Sequence, residues 1–307
     1  AQVALTNGAS YLAVASIAEA IILREAGINA PILVLSYAPV QSVRQAIQQN
    51  ITLSVYDIEQ AQLYDRVART APQHLKVHIK LDTGMGRLGF FDEDVIKVFR
   101  NLRVMTNLDV EGIYTHFSSA GEDDEYTALQ MKLFEEAVAP LRAAGFSFKF
   151  VHAANSPGLF SKNEPFFNMV RPGVMLYGLQ PEGTEMPAGL RPAMTWKTTI
   201  LQVKNFPSNY PIGYSRTYYT KGEEKIAILP VGYADGLRRS PQTWQYVLVN
   251  GQRAPLVGRI SMEKAAINVT HIPSVKMGDE VILLGTQGDE TITAELIAEW
   301  LGTINYE

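Results

Sequence analysis

YLAVASIAEAIILREAGINAPILVLSYAPVQSVRQAIQQNITLSVY (residues 11–56) reads as strand, helix, strand, helix, strand. The runs YLAVAS (11–16), PILVLS (31–36) and ITLSVY (51–56) are short and rich in apolar or β-branched residues, while IAEAIILREAG and VRQAIQQN between them carry apolar residues at helical spacing. The same alternation continues through VHIKLD (77–82), VEGIYTH (110–116), FKFVHAA (148–154) and FNMVRPG (167–173), with helical patterns in IEQAQLYDRVART and TALQMKLFEEAVAPLRAAG. Gly27 and Gly145 fall where two of these helices stop. Regular strand–helix alternation implies a parallel sheet, and seven such units predict an α/β fold of the (β/α)8 TIM-barrel type rather than an open sheet. Residues 1–9 read as the end of a helix leading into the first visible strand, so the eighth strand is expected ahead of Ala1. A seven-stranded barrel would leave an unpaired seam of backbone groups.

After about residue 190 the pattern changes. WKTTILQVKNF, KIAILPVGYA, WQYVLVNGQRAPLVGRIS, AAINVTH and DEVILLG alternate apolar and polar residues between turn signals. Asn250-Gly251 marks a tight hairpin, because both central positions of a type I′ turn need positive φ. The chain therefore divides into a barrel domain over 1–190 and a β-rich domain over 191–307, whose one late helix, AELIAEWLG, has Thr293 as its N-cap.

Composition narrows the function. With 307 residues, 47% of them apolar, the chain has enough material for two packed cores. Its 27 Lys and Arg against 31 Asp and Glu, without a basic block, argue against a nucleic-acid footprint or an anionic membrane partner and favour small-molecule chemistry. No apolar run is long enough to span a bilayer and the first residues do not form a secretory signal, so a cytoplasmic location is expected. The absence of cysteine excludes thiolate metal sites and a cysteine nucleophile. The five histidines show no paired ligand spacing, so no metal site is predicted.

In a barrel of this kind the loops after the strands build the active site, and the unusual polar residues cluster there. VHIKLD runs into TGMGRLG, whose Gly84 and Gly86 either deliver Arg87 to the barrel mouth or form a tight turn with a surface arginine. Lys80, between Ile79 and Leu81, either snorkels to the rim or carries an altered charge. His116 and His152 end two strands, and Asn155-Ser156 follows the second. Arg171 lies in an apolar stretch, where it must meet an anion, an acceptor atom or a buried carboxylate. Gly173 and Val174 follow it at the place where barrels commonly bind phosphate through backbone N–H groups. In the second domain Tyr214 and Tyr233 sit near glycines. Either is a packing residue with a hydroxyl handle, or an acid–base group if its pKa falls well below about 10.

Taken in order and at these intervals, HIKLDTGMGRLG (78–89), YTHFSSA (114–120), HAANS (152–156), MVRPGVMLYG (169–178), GYSRTYY (213–219), PVGYADGLRR (230–239) and GRISME (258–263) resemble the alanine racemase family over essentially the whole chain. The resemblance implies pyridoxal 5′-phosphate as cofactor, an amino acid as substrate and a homodimer whose active sites draw on both copies. It implies that Tyr214 acts as a base from the partner copy, that His152 hydrogen-bonds that tyrosine, and that Arg171 faces the pyridine nitrogen. Ser156, Gly173, Val174 and Tyr233 match positions that hold the cofactor phosphate, and His116 matches a histidine beside the cofactor ring. Arg87 matches an arginine near the substrate carboxylate, Met262 matches a residue whose backbone helps bind that carboxylate, and Lys80 matches a lysine often carbamylated.

The sequence also departs from the family. The lysine motif that carries the cofactor is expected ahead of Ala1, and an arginine-rich segment is expected after TINYE. Glu263 stands where the family usually has aspartate, which leaves alanine and serine open as substrates. A decarboxylase of the same plan is opposed by Arg171 and by the lack of cysteine. A cofactor-binding protein without turnover is what a lysine-free site would predict.

Overall fold

The computed structural model describes residues 1–91, 94–160, 167–181, 184 and 189–307. The chain forms two compact units, one built on Ala1–Gly173 and the other on Val174–Pro181 with residues 189–307.

The first unit alternates as the sequence implies. After α1 (Gln2–Thr6) come β1 (Leu12–Val14), α2 (Ile17–Glu25), β2 (Ile32–Val34), α3 (Val43–Gln48), β3 (Ile51–Val55), α4 (Ile58–Ala68) and β4 (Leu75–Asp82). Then follow β5 (Phe90–Phe91), α5 (Val95–Leu102), β6 (Leu108–Tyr114), α6 (Asp124–Ala143) and β7 (Phe150–His152). Strands β1, β2, β3, β4, β6 and β7 pair in that order and are parallel throughout, with β5 alongside the end of β4. Burial explains the composition of the strands. Both faces of β2 and β3 are covered, so they read as unbroken buried runs instead of alternating ones.

Helix starts follow from local chemistry. Ser16 accepts the N–H of Glu19 while the Glu19 carboxylate accepts the N–H of Ser16, a reciprocal cap on α2. Asp57 caps α4 by accepting from the N–H of Gln60 at 2.9 Å.

Two expectations need amendment. Residues 167–173 do not form a seventh strand; they reduce to a single parallel bridge between His152 and Met169. The reason lies in Pro172, which has no N–H to continue the ladder, just after Arg171 donates its own N–H to the carbonyl of Ala154 at 2.9 Å. Helix α5 was not among the helical patterns read from the sequence. Among the described residues the sheet is thus a parallel, barrel-like array of six principal strands, with β5 alongside β4, in place of the eight expected.

The second unit is β-rich. It comprises β8 (Trp196–Thr199), β9 (Gln202–Phe206), β10 (Pro211–Ile212), β11 (Tyr218–Tyr219), β12 (Glu224–Leu229), β13 (Tyr246–Val249), β14 (Gln252–Val257), β15 (Ala265–Asn268), β16 (Glu280–Gln287), β17 (Glu290–Ile292) and α7 (Ala294–Leu301). Its main sheet runs β17-β16-β13-β14-β15-β12-β9, with β8 also on β16. Asn250 and Gly251 both take positive φ, 50° and 74°, and close the β13–β14 hairpin as their chemistry predicts. Thr293 caps α7 through the N–H of Leu296. Among the described residues no helix is long and apolar enough to cross a membrane.

Leu53 is fully buried at the centre of the parallel sheet. Leu53→Ala is expected to lower the unfolding free energy of this unit by about 2–5 kcal/mol, read from urea denaturation. A change below about 0.5 kcal/mol would show that the site is not close-packed.

Candidate active site

The inward positions of β3, β4, β6 and β7 carry polar side chains into an otherwise apolar sheet. Ser54, His78, Lys80, Tyr114 and His152 are all buried. Tyr114 lies flat against His152, the rings 4.7 Å apart and within 5° of parallel, and its hydroxyl shares a hydrogen bond of 2.7 Å with Ser54.

Arg171 is the centre of this arrangement. Its Nη2 donates to the carbonyls of Thr115 at 2.8 Å and Ala153 at 2.9 Å, and its Nη1 meets His152 Nδ1 at 2.5 Å. Nη2 also stands 3.5 Å from His116 Nδ1, and the guanidinium lies over the Tyr114 ring, 5.2 Å from its centroid. Of the partners open from sequence, the guanidinium thus takes carbonyl and imidazole acceptors, with no carboxylate among the described residues in contact. Burial lowers its pKa to about 10, against the pull of Tyr114, so it remains a cation at neutral pH.

The two histidines differ in what their ring nitrogens meet. His152 has no exposed surface; Nδ1 faces Arg171 and Nε2 lies 2.9 Å from His78 Nδ1. Neither nitrogen is left for a tyrosine. His116 is only partly buried, and its ring has one hydrogen-bond contact among the described residues, at Nδ1. An N–H on Nδ1 would point at a cation, so the arrangement favours a lone pair there and the His116 proton on Nε2. Burial, followed by the charges of Arg171, Arg87 and Lys80, pulls the His116 pKa down to about 3. It is a neutral hydrogen-bond donor and not an acid at neutral pH.

Lys80 does not snorkel. It is buried, with its Nζ 5.9 Å from the Tyr114 ring centroid. Burial and the nearby Arg87 lower its pKa to about 8, with Asp82 acting in the opposite direction. Arg87 itself is exposed at the end of a loop that Asp82 organises. The Asp82 carboxylate accepts the N–H groups of Gly84, Met85, Gly86 and Arg87 at 2.8–3.1 Å. Sequence reading passed over Asp82, although an aspartate before Gly-x-Gly is the signature of such a side-chain-capped turn. Gly84, at φ 127°, is required: a Cβ there would stand 2.3 Å from the Tyr126 hydroxyl, which itself donates to the Gly84 carbonyl.

At the end of β7, Ser156 is buried and its hydroxyl accepts the N–H of Gly173 at 2.8 Å. A Cβ on Gly173 would meet nothing closer than that hydroxyl at 3.9 Å, so the glycine leaves the approach open. Val174 opens the second unit with a short 3-10 turn, Val174–Tyr177.

Within the second unit, Tyr214, Tyr233 and Met262 are all substantially exposed. The backbone ties two of them together: Tyr233 N–H donates to the carbonyl of Ser261 and Ala234 N–H to that of Met262. Gly232 permits this, since a Cβ there would lie 2.3 Å from both carbonyl oxygens. Arg239, not singled out from sequence, places its guanidinium 5.9 Å from the ring centroids of both Tyr214 and Tyr233. Ser215 and Arg216, just after Tyr214, take left-handed φ values of 58° and 51°, a conformation that costs free energy in non-glycine residues and concentrates at functional sites. Glu263 is exposed beside Met262.

The first unit is therefore a parallel strand–helix array with a half-buried, fully hydrogen-bonded guanidinium and a serine–glycine pair at its strand ends, followed by a β-rich unit that presents tyrosines. That is the plan of a two-domain enzyme with a polar site at the strand ends of a parallel, barrel-like sheet. The family model for the alanine racemase N-terminal domain matches residues 1–181, and that for the C-terminal domain matches 193–307. An alanine racemase of Methanococcus maripaludis is 42% identical over 310 residues, covering 100% of this chain and 83% of that protein. The solved structure of an alanine racemase from Clostridium difficile 630 superposes with a TM-score of 0.92 at 38% identity, covering 99% of this chain and 80% of that one. Another, from Bacillus anthracis with bound L-Ala-P, gives 0.90 at 39% identity, covering 99% and 79%. The chain belongs to the alanine racemase family.

The Asp82 carboxylate gives this loop a pH signature. Burial opposes its charge, but four backbone N–H groups prevail and lower its pKa below the ordinary value. Its contribution to stability is therefore present above the unfolded pKa of about 3.9 and is lost as pH falls through the folded value. Asp82→Asn is expected to be less stable than the parent at pH 7, with the gap narrowing as the pH is lowered from about 5 towards 2. A gap independent of pH would contradict the assignment.

Proposed function

We propose that the protein is a pyridoxal 5′-phosphate-dependent racemase that interconverts L- and D-alanine, supplying D-alanine for peptidoglycan. The observation that carries this reading is the Arg171 guanidinium, half-buried at the strand ends and fixed by two carbonyls and His152. The residues present suit the cofactor. Ser156, Gly173, Val174 and Tyr233 would hold its phosphate, Arg171 would face its ring nitrogen and His116 would lie beside the ring. When bound, the cofactor supplies an electron sink that makes the substrate Cα–H acidic.

The chain's own residues then set the outcome. A guanidinium cannot readily surrender its proton, so Arg171 would leave a ring nitrogen facing it unprotonated, which would moderate the sink and limit side reactions. Racemisation removes a proton from one face of Cα and returns one on the other, so it needs two carriers. Tyr214 is one, lent by a second copy in a homodimer. Because both nitrogens of His152 have partners within its own unit, the Nε2–H of His116 is the donor that would stabilise a Tyr214 phenolate. Arg87 and the Met262 backbone would hold the substrate carboxylate. Lys80, with a pKa brought down to about 8, has enough neutral amine to be carbamylated, which would provide Arg87 with an anionic partner. We further propose that the parallel sheet is the larger part of a (β/α)8 barrel and that the enzyme is cytoplasmic.

Tyr214→Phe is expected to lower kcat/KM for racemisation by ~10²–10⁴-fold while leaving exchange of the Cα hydrogen with deuterated solvent for one enantiomer only. Equal loss of exchange for both enantiomers would count against a two-carrier arrangement. Racemisation of alanine and serine, measured side by side, tests the substrate. A higher kcat/KM for alanine is expected, and a preference for serine would transfer the assignment, with Glu263 the residue to examine.

A further inference from the structure

Behind Arg171 and His152 lies a second buried histidine. His78, with no exposed surface, sits between His152 and Glu111 deep in the sheet. Its Nδ1 is 2.9 Å from His152 Nε2, and its Nε2 faces Glu111 Oε1 across 3.6 Å. That is longer than a hydrogen bond, and His78 Nε2 has no other polar partner among the described residues. Glu111 is held in turn by Tyr11 and Thr52, whose hydroxyls lie 2.9 Å from the same oxygen.

The two ends of this row fix its direction. Arg171 has no acceptor, so His152 Nδ1 must carry a lone pair. Burial beside a guanidinium keeps His152 neutral, so its single proton belongs on Nε2 and is donated to His78 Nδ1. His78 is neutral for the same reason of burial, and its proton therefore lies on Nε2, aimed at a carboxylate that can only accept. Burial works against charge on Glu111, but the His78 ring facing it and the hydroxyl donors of Tyr11 and Thr52 prevail and lower its pKa to about 2. The reverse order would set an N–H of His152 against an N–H of Arg171 and a lone pair of His78 against an anion. Only one arrangement of protons is tolerated.

The backbone is shaped for this row. The register of β4 on β6 shifts between Val77, paired with Val110, and His78, paired with Gly112, which leaves Glu111 as an extra residue and turns its side chain inward. Gly112 makes the space: a Cβ there would lie 2.7 Å from three atoms of the His78 ring.

We propose that His78 and Glu111 are positioning residues for the racemase reaction: by fixing the proton of His152 on Nε2 they hold its lone pair on Arg171 and set the guanidinium for the cofactor ring. This rests on the role assigned to Arg171 above. In the ¹⁵N-histidine-labelled protein, ring-nitrogen NMR shifts are expected to show both histidines protonated on Nε2 alone. Glu111→Leu is expected to populate the Nδ1–H form of His78 and lower kcat about tenfold, with KM changed less than about twofold. Glu111→Gln, whose carbonyl still accepts, is expected to restore the tautomers and most of the rate. Should Glu111→Leu fold poorly, Gly112→Ala displaces the His78 ring without removing any polar group and is expected to give the same two changes.

An Nδ1–H on His152 in the parent protein would overturn the proposal, as would tautomers and kcat unchanged in both Glu111→Leu and Gly112→Ala. Arg171→Lys measured alongside separates the two layers of the argument. Racemisation undiminished in Arg171→Lys would defeat the functional reading itself. Racemisation lost in Arg171→Lys but with kcat unaltered when Glu111→Leu shifts the tautomers would defeat the positioning role alone.

Discussion

A cation placed inside a parallel sheet dictates much of the rest of this structure. Removing a guanidinium from water is costly unless its N–H groups find acceptors. Arg171 finds two main-chain carbonyls, Thr115 O and Ala153 O, just past the ends of neighbouring strands, and an imidazole, His152. Hydrogen bonds to charged groups contribute about 1.5–3 kcal/mol each, so three of them offset a large part of the desolvation. Those acceptors are available only because the strands end where they do. The same requirement prevents residues 167–173 from continuing as a regular strand: Arg171 makes one ladder contact and then turns its side chain back across β7.

From this constraint the neighbouring chemistry follows. Because the guanidinium donates on every side, any histidine that touches it must present a lone pair, and both His116 and His152 are driven to one protonation form. Burial, together with the field of the same cation, keeps His116 and His152 from charging as they would in water, while burial and Arg87 lower the Lys80 pKa. Tyr114 closes the group from below, stacked on His152 and lying under the guanidinium. The second unit offers Tyr214 on a strained turn and Tyr233 tied to the Ser261–Met262 backbone, with Arg239 near both rings.

Much of this is legible in the residues themselves, and the failures are instructive. Period and length identify six of the seven expected strands, because buried parallel strands are runs of Val, Ile and Leu bounded by turn residues. FNMVRPG has the same outward form, but its proline and its committed arginine deny it the ladder. Helix α5 shows apolar residues at 95, 98, 99 and 102, a usable signal on a short segment that lies between two more conspicuous motifs. At the site, Arg171 announces itself by being charged among apolar neighbours. The roles of His116 and His152 cannot be told apart that way: each ends a strand, and only depth decides that one is sealed and the other reachable. Glu111 is hidden for a similar reason. Strict alternation gives a residue between Val110 and Gly112 no fixed face, and the register shift that turns it inward is a property of the pairing with β4, not of its own segment.

The central claim is that the guanidinium of Arg171 is immobilised inside the sheet. Side-chain ¹⁵N NMR of arginine in the intact protein at neutral pH reads this directly. The account predicts two resolved Nη resonances for Arg171, with protons that exchange slowly with water and with rotation about Nε–Cζ frozen. A single averaged Nη signal exchanging at the rate of a solvent-exposed arginine would contradict it.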